Sequence, residues 1–349
     1  MIPMTLGICR ETAPGEQRVA LVPDAVHAVQ ALGLNVLVET GAGAAAWMPD
    51  RLYRHAGADV ATHTELYARA DILVGVRPPF PPATSRFRRG QILIALLDPL
   101  DIPFHVRRWA DEGVTAIGLD LAPDTSVLAR PMDAVASQGR LAGHEAALLA
   151  ADRFGRPLSG TASPDFPEPA RALVIGADAT ARQAADTLHS LGADVQAGDA
   201  VLGTPGPSLP EHADIVITAV RLRPPLRPPV LVTAQAIARM RPGSVIVDTA
   251  VGPDGGNVEG ARPEATTTLA PGVTVIGAGR LPESIPRPAS IAYTHNVTAL
   301  LEHIVCDGDL LIDPADPIMA AMMVTHGTLV LQEAVWRLIL DQTALAGLP

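Results

Sequence analysis

The stretch from Arg171 to Asp199 carries the residue types and spacing of a dinucleotide-binding unit. It consists of a short apolar strand, a turn, an alanine-rich helix, a second strand and a terminal acid, which in such units accepts a ribose hydroxyl. The turn normally reads G-x-G-x-x-G. Here Gly176 fills the first glycine position, whereas Asp178 and Ala181 fill the second and third. The spacing therefore predicts the scaffold of a nucleotide site with an altered phosphate-binding turn.

The replaced glycines and the terminal acid each allow more than one interpretation. Ala181 only reduces packing room, but Asp178 places a carboxylate at the helix N-terminus, where a diphosphate would bind. Loss of diphosphate binding is favoured over a new contact from Asp178 to a cation or a hydroxyl. Asp199 is either the acid that holds a ribose hydroxyl or a solvated residue at the end of a strand, and the sequence leaves both open.

The composition limits the class of protein. A length of 349 residues, with 48% hydrophobic and 18% charged residues, indicates a globular chain of two domains. The net charge of −11 argues against nucleic acid or an anionic membrane surface as the main partner. The chain has no lysine, which excludes Schiff-base chemistry. Its histidines show no metal-ligand spacing, so no metal site is predicted. His295 is expected to start a helix, with an acid–base group in a cleft as the alternative.

The sequence also bears on where the protein is found. Cys9 and Cys306 cannot form a disulfide framework and suit a reducing compartment. The first residues enter a strand pattern directly, without the pattern of a signal peptide, so we expect a cytoplasmic protein. The apolar segment Ile318–Leu340 contains His326 and Arg337, and we expect a buried element or an interface there rather than direct membrane insertion.

Strand and helix patterns alternate along most of the chain. The predicted strands are Thr5–Cys9, Asn35–Glu39, Asp71–Val76, Ile92–Leu97, Thr115–Leu119, Ala172–Ile175, a strand around Val195, Ile215–Ala219, Ser244–Asp248 and Thr274–Gly277. The predicted helices include Pro23–Leu32, Ile102–Glu112, Asp133–Phe154, Thr233–Met240 and Asn296–Val305. This alternation predicts an α/β fold with two doubly wound parallel-sheet domains. We expect residues 1–130 with 291–349 to form the first domain and residues 131–290 the second.

Several motifs, taken in order, carry a resemblance to a known family. They are Gly-Ile-Cys-Arg-Glu-Thr at the start, Glu16-Gln17-Arg18-Val19-Ala20, Val38-Glu39-Thr40-Gly41-Ala42-Gly43, Val174-Ile175-Gly176-Ala177, Pro242-Gly243-Ser244-Val245-Ile246-Val247-Asp248, Gly255-Gly256-Asn257 and His295-Asn296-Val297-Thr298-Ala299. The chain thereby resembles the alanine dehydrogenase and transhydrogenase alpha-subunit family, and within it the soluble NAD(H)-binding subunit of proton-translocating transhydrogenase. The resemblance implies two Rossmann-like domains with an interdomain cleft, NAD or NADP as cofactor, and a homodimer. It also implies hydride transfer at the cleft, either to a small-molecule substrate that carries a carboxylate or between nicotinamides.

The resemblance also implies catalytic roles for four residues. Arg18 matches the arginine that binds a substrate carboxylate in alanine dehydrogenases, and an interdomain or strand-end ion pair is the alternative. Arg77 falls at the position of their substrate-binding lysine and Asp98 at that of their catalytic histidine, so alanine oxidation is not expected. Asp133 matches an aspartate of the loop that faces the nicotinamide in the transhydrogenase subunit, with helix capping as the alternative.

Other positions concern the cofactor and the partner subunit. Asp248 and Asn257 lie in matching motifs and are expected at the cofactor. Thr125 and Arg130 hold the places of an arginine and a glutamine in the nicotinamide-facing loop, and the segment between residues 199 and 214 is shortened. These departures argue against a membrane-coupled complex with a transhydrogenase beta-type subunit, although a partner encoded elsewhere stays open.

Two hypotheses about function follow. In the first, the chain is an oxidoreductase that binds NAD or NADP in its second domain. In the second, dinucleotide binding has been lost, and the protein is a regulatory or scaffold protein or works without a cofactor. The retained scaffold favours the first hypothesis, and the altered turn favours the second.

Overall fold

The computed structural model describes residues 3–79, 87–160, 165, 168–199, 210–222 and 227–346, with the side chains of the last helix described as far as residue 341. The chain divides into two units, of which the first combines Met1–Val135 with Ile285–Pro349 and the second is Ala136–Ser284. Most of the shortened segment between residues 199 and 214 lies outside the described residues.

Strands and helices alternate in both units. The strands are β1 (Thr5–Ile8), β2 (Asn35–Glu39), β3 (Asp59–Ala61), β4 (Ile72–Val74), β5 (Ile92–Ala95), β6 (Thr115–Gly118), β7 (Arg171–Ile175), β8 (Asp194–Gly198), β9 (Ile215–Thr218), β10 (Val245–Asp248), β11 (Thr266–Leu269), β12 (Val273–Gly277), β13 (Val305–Cys306), β14 (Asp309–Leu310), β15 (Met323–His326) and β16 (Leu329–Val330). The helices are α1 (Val26–Ala31), α2 (Asp50–His55), α3 (His63–Arg69), α4 (Pro103–Glu112), α5 (Ala134–Phe154), α6 (Ala179–Ser190), α7 (Ala234–Ile237), α8 (Leu281–Ser284), α9 (Pro286–Ile304), α10 (Pro317–Met322) and α11 (Glu333–Ala346).

Each unit is built on one large, mainly parallel sheet. The first sheet has the order β16-β15-β6-β5-β4-β1-β2-β3, with β1 to β6 parallel and β15 antiparallel to β6. The second has the order β11-β12-β10-β9-β7-β8, parallel except for the edge strand β11. The direction of strand succession reverses between β1 and β4 in the first sheet and between β7 and β9 in the second. These reversals are the switch points at which doubly wound sheets bind ligands, at the carboxyl ends of the strands.

The strands are short apolar runs because both faces of each sheet are covered. In β4, the side chains of Ile72 and Val74 belong to one buried cluster and that of Leu73 to another. In β10, Val245 and Ile246 are divided between two clusters in the same way. Burial on both faces explains why these strands show no polar alternation. The predicted α/β fold with two doubly wound sheets is confirmed, with the difference that both sheets carry antiparallel edge strands.

Some predicted elements were wrong in their bounds. α9 begins at Pro286 rather than at Asn296, so His295 lies inside the helix and not at its start. Pro286 and Pro288 fit the first turn of this helix, because the amides there have no helical partner. The helix predicted at Thr233–Met240 is reduced to four residues.

The apolar C-terminal segment is divided among several elements that complete the first unit. It supplies α10, the strand β15 next to β6, and α11. Met319, Met322 and Met323 are buried there in the main core of the unit. No helix within the described residues has the length and apolar character needed to cross a membrane.

A close approach of two helices supports the nucleotide-type turn of the second unit. Gly143 in α5 faces the first turns of α6, and a Cβ atom there would lie against the carbonyl oxygen of Thr180 and 2.9 Å from the amide nitrogen of Ala184. Gly139 faces the same helix less tightly, since its nearest neighbour is the hydroxyl oxygen of Thr180 at 3.0 Å, which can rotate away.

We therefore expect G143A to lower the free energy of unfolding by about 2–3 kcal/mol, because backbone atoms of α6 cannot move aside without disturbing the turn. G139A should stay within about 1 kcal/mol of wild type, since alanine gains helix propensity there. Urea unfolding followed by circular dichroism measures both. Equal effects of the two substitutions would contradict the tight contact at Gly143.

Candidate functional site

Charged side chains gather where the strands of the first sheet end. Arg77 follows β4, Asp98 follows β5 and Asp120 follows β6, while Glu11 and Glu16 follow β1. The carboxyl ends of these parallel strands meet at one edge of the sheet, beside its switch point. We call these five residues together with Arg18 the first-unit cluster.

A chain of ion pairs connects three of the residues predicted to be catalytic. The Nε and Nη2 atoms of Arg18 donate to the two carboxylate oxygens of Glu16 at 2.7 and 2.5 Å, and both side chains are almost fully buried. The Nε atom of Arg77 lies 3.6 Å from Glu16 Oε2, and its Nη1 atom donates to Asp98 Oδ2 at 3.3 Å. The predicted strand-end ion pair of Arg18 is therefore present, and Glu16 joins it to Arg77.

Glu11 holds the backbone that carries Arg77. Its carboxyl oxygens accept hydrogen bonds from the amides of Val76 at 2.6 Å and Arg77 at 3.2 Å. Burial raises the pKa of Glu11 to about 8, and the nearby charge of Glu16 contributes in the same direction. This carboxyl group is therefore mainly protonated at neutral pH.

Asp120 holds the backbone that carries Asp98, as Glu11 does for Arg77. Its oxygens accept from the amides of Leu97 at 2.7 Å and Asp98 at 3.1 Å. Asp98 has a φ of 43°, in the left-handed region that is unfavourable for most side chains. Burial raises the pKa of Asp120 to about 6, helped by the charge of Asp98. A Cβ atom at Gly118 would come within 2.9 Å of Asp120 Oδ1, so the glycine leaves room for this carboxyl group.

Asp133, the fourth predicted catalytic residue, lies between a short 3-10 helix at Arg130–Met132 and α5. Its backbone amide donates to the carbonyl of Arg130 at 3.2 Å. This position at the start of a long helix agrees with the capping alternative. The nicotinamide-facing role stays a prediction.

The turn after β7 in the second unit requires a glycine. Gly176 has a φ of 146°, and a Cβ atom there would lie 2.7 Å from the carbonyl oxygen of Ala219 and 3.0 Å from the Cβ of Ala181. Ala181 is buried directly beneath this turn. The backbone at Gly176 thus has the close strand-to-helix approach of a dinucleotide-binding turn. Ala181, at the third glycine position of the motif, packs its methyl group against this turn.

Asp178 occupies the start of α6 with its own carboxylate. It is the N-cap residue, and its Oδ1 atom accepts from the amide of Ala181 at 2.9 Å. One of the amides that an anion would use is therefore already bonded, and an exposed negative charge lies at the helix start. Asp199 follows β8 and is exposed, and its contact with a ribose stays a prediction.

The other two residues predicted at the cofactor bind backbone groups of loops. Asp248, fully buried at the end of β10, accepts from the amides of Ala250 and Val258, both at 3.0 Å. Burial raises its pKa. Asn257 accepts from the amide of Val220 at 2.9 Å and donates to the carbonyl of the same residue at 2.9 Å. These side chains shape the loops at the carboxyl edge, and any contact with a cofactor stays a prediction.

Sequence reasoning missed several residues of both edges. Glu11, Glu16 and Asp120 are not among the predicted site residues, although Glu11 and Asp120 follow closely after apolar strands. Arg221 is a further residue that the sequence patterns do not indicate. Its Nη2 atom donates to the carbonyls of Thr249 at 2.5 Å and Gly279 at 3.1 Å, across the ends of β10 and β12. Within the described ranges, no group of three or more His, Cys, Asp or Glu side chains is arranged to hold a metal ion.

Comparison with known proteins identifies the family. The family models for the N-terminal and C-terminal domains of alanine dehydrogenase/PNT match residues 7–142 and 208–333. The chain is 33% identical to the NAD(P) transhydrogenase subunit alpha of Cereibacter sphaeroides, over 93% of this chain and 70% of that one. The chain belongs to the alanine dehydrogenase/PNT family.

Other members of the alanine dehydrogenase/PNT family support this assignment. The alanine dehydrogenase of Bacillus subtilis is 30% identical over 84% of each chain. The crystal structure of transhydrogenase from Sinorhizobium meliloti superposes with a TM-score of 0.83 at 32% identity, covering 95% of this chain and 99% of that one. The resemblance inferred from the motifs is confirmed.

The raised pKa of Glu11 predicts how this family member responds to pH. The unfolded chain loses the proton near the ordinary pKa of 4.5, whereas the native protein keeps it up to about pH 8. The free energy of unfolding should therefore fall as the pH rises through this window, by up to about 1.4 kcal/mol per pH unit. In E11Q the side chain is neutral at every pH, so we expect a flatter profile and higher stability than wild type near pH 8.

Urea unfolding at a series of pH values tests this expectation. E302Q, which changes an exposed glutamate of α9, serves as the control and should follow the wild-type profile. A profile of E11Q parallel to that of wild type would show that Glu11 does not hold its proton in the native state.

Proposed function

We propose that this chain binds a nicotinamide dinucleotide at the carboxyl edge of its second sheet and takes part in hydride transfer. The turn at Gly176 carries this proposal, because it combines a positive φ, close packing on Ala181 and a position at the switch point between β7 and β9. Membership in the alanine dehydrogenase/PNT family, with relatives named as NAD(P) transhydrogenase, supports it.

The residues at this edge fit a dinucleotide in all but one respect. Gly176 allows the backbone of the turn to approach the diphosphate, and Asp199 would accept the ribose hydroxyls. A carboxylate there repels a 2′-phosphate, so we propose NAD rather than NADP. Asp178 opposes the diphosphate by charge repulsion at the start of α6. We therefore expect weaker binding than a turn with three glycines would give.

When bound, the nicotinamide would donate or accept the hydride. The protein's own part is to hold the nucleotide at the second sheet and to orient a second small-molecule reactant at the first-unit cluster. Arg77 and Asp98 are the partly exposed members of that cluster, with 35% and 54% of their side-chain surface accessible. They are the groups we propose for contact with this reactant.

A second candidate function is a role without a dinucleotide, and Asp178 is the observation that favours it. The carboxylate already caps α6, so the helix start is satisfied without a ligand. A calorimetric titration of the purified protein with NAD+, NADH, NADP+ and NADPH separates the two candidates. Micromolar binding of one cofactor supports the oxidoreductase, and absence of heat up to millimolar concentrations supports the cofactor-free role.

We also propose a homodimer that works without a transhydrogenase beta-type subunit. The replacements at Thr125 and Arg130, in the loop that faces the nicotinamide in the resembling transhydrogenase subunit, support independence from such a partner. Sedimentation equilibrium of the purified chain measures the oligomer, and a monomer would contradict the proposal.

Removal of the charge at Asp178 should strengthen dinucleotide binding. D178N keeps a side-chain oxygen for the cap and removes the negative charge, so we expect the affinity for NADH to rise about tenfold, or about 1.4 kcal/mol. D194N is the control. It removes an exposed aspartate at the start of β8, whereas Asp199 follows the other end of that strand, and it should leave the affinity for NADH unchanged. Unchanged calorimetric affinity in D178N would mean that the helix start takes no part in binding.

A further inference from the structure

In the partly exposed ion pair of the first-unit cluster, the guanidinium group of Arg77 is paired with a carboxylate of the protein itself, that of Asp98. Asp98 Oδ2 accepts from Arg77 Nη1 at 3.3 Å, and both side chains reach solvent. On its other side, the Nε atom of Arg77 lies 3.6 Å from a carboxylate oxygen of Glu16. The guanidinium group of Arg77 is therefore placed between two carboxylates of the protein.

The conformation of Asp98 is maintained by specific contacts. Its left-handed backbone, with φ of 43°, is unfavourable for a residue other than glycine, asparagine or aspartate. The amide of Asp98 and the preceding amide of Leu97 both donate to the buried carboxyl group of Asp120. Gly118 leaves the room that this carboxyl group needs. The protein thus fixes the turn from which Asp98 reaches Arg77.

The second arginine of the cluster is also neutralised. Arg18 is 3% exposed and forms a two-pronged contact with the buried Glu16. A carboxylate ligand gains most of its affinity from a guanidinium group with both prongs directed at it. Here Glu16 already occupies both prongs of Arg18, and Arg77 lies beside Asp98. The charges at this edge therefore oppose an anion.

We propose that Asp98 is a specificity-determining residue whose carboxylate occupies Arg77, so that the first-unit cluster accepts a reactant without a carboxylate group. This inference rests on the proposed function for the identity of the site. It replaces the carboxylate-bearing substrate expected from the family with an uncharged or cationic one. Asp120 acts as the positioning residue that keeps Asp98 in place.

The test is a calorimetric titration with oxalate and acetate, in the absence of any dinucleotide. Wild type should give no binding up to millimolar concentrations. D98N has the same shape, and asparagine tolerates the left-handed backbone, so this variant should fold as wild type does. It leaves Arg77 without its aspartate partner, and we expect it to bind oxalate at least about tenfold more tightly than wild type.

Two further variants make the result specific. D111N removes the same charge from another exposed arginine–aspartate pair, Arg107–Asp111 on α4, and should behave as wild type. R77Q added to D98N should abolish the gain. The proposal is overturned if wild type binds oxalate as tightly as D98N, if neither binds, or if the gain survives R77Q. Since no dinucleotide is present, these results are independent of whether the second unit binds one.

Discussion

The loops at the carboxyl edges of both sheets depend on side chains that accept hydrogen bonds from backbone amides. Where a parallel strand ends, the following amides lose their partners in the sheet and must find others if they are buried. Glu11 and Asp120 provide these acceptors in the first unit, and Asp248 and Asn257 provide them in the second. Each acceptor fixes a loop in one conformation. In the first unit, the positions of Arg77 and Asp98 follow from those fixed loops.

This arrangement has an energetic cost that is spread unevenly. A carboxyl group removed from water resists ionisation, and Glu11 and Asp120 show this in their raised pKa values of about 8 and 6. Glu16 is the exception, since hydrogen bonds from Arg18 keep its pKa low in spite of burial. The first unit therefore contains buried acids of both kinds within one cluster. Glu11, which is mainly uncharged at neutral pH, holds backbone amides, and the charged Glu16 holds arginines.

The sequence was most informative where structure is local. Apolar runs located the central strands, and the spacing after β7 identified both the turn at Gly176 and the position of Asp178 at a helix start. Contacts between distant residues could not be read in this way. Glu16 and Arg77 are far apart in the chain, as are Asp98 and Asp120, and only the sheet order brings each pair together. The start of α9 lies upstream of the predicted one, because a helix tolerates prolines in its first turn.

The first unit is discontinuous in sequence, and this determines the order in which the two units can fold during synthesis. Its core needs Tyr293, Val297 and Leu300 from α9, and its sheet needs β15 beside β6, all of which leave the ribosome after the second unit is complete. A nascent chain that has reached Ser284 therefore holds a whole second unit and an unfinished first one with exposed apolar surface. The inserted unit can fold while the surrounding one waits, so the first unit is the part of this protein that needs protection during translation.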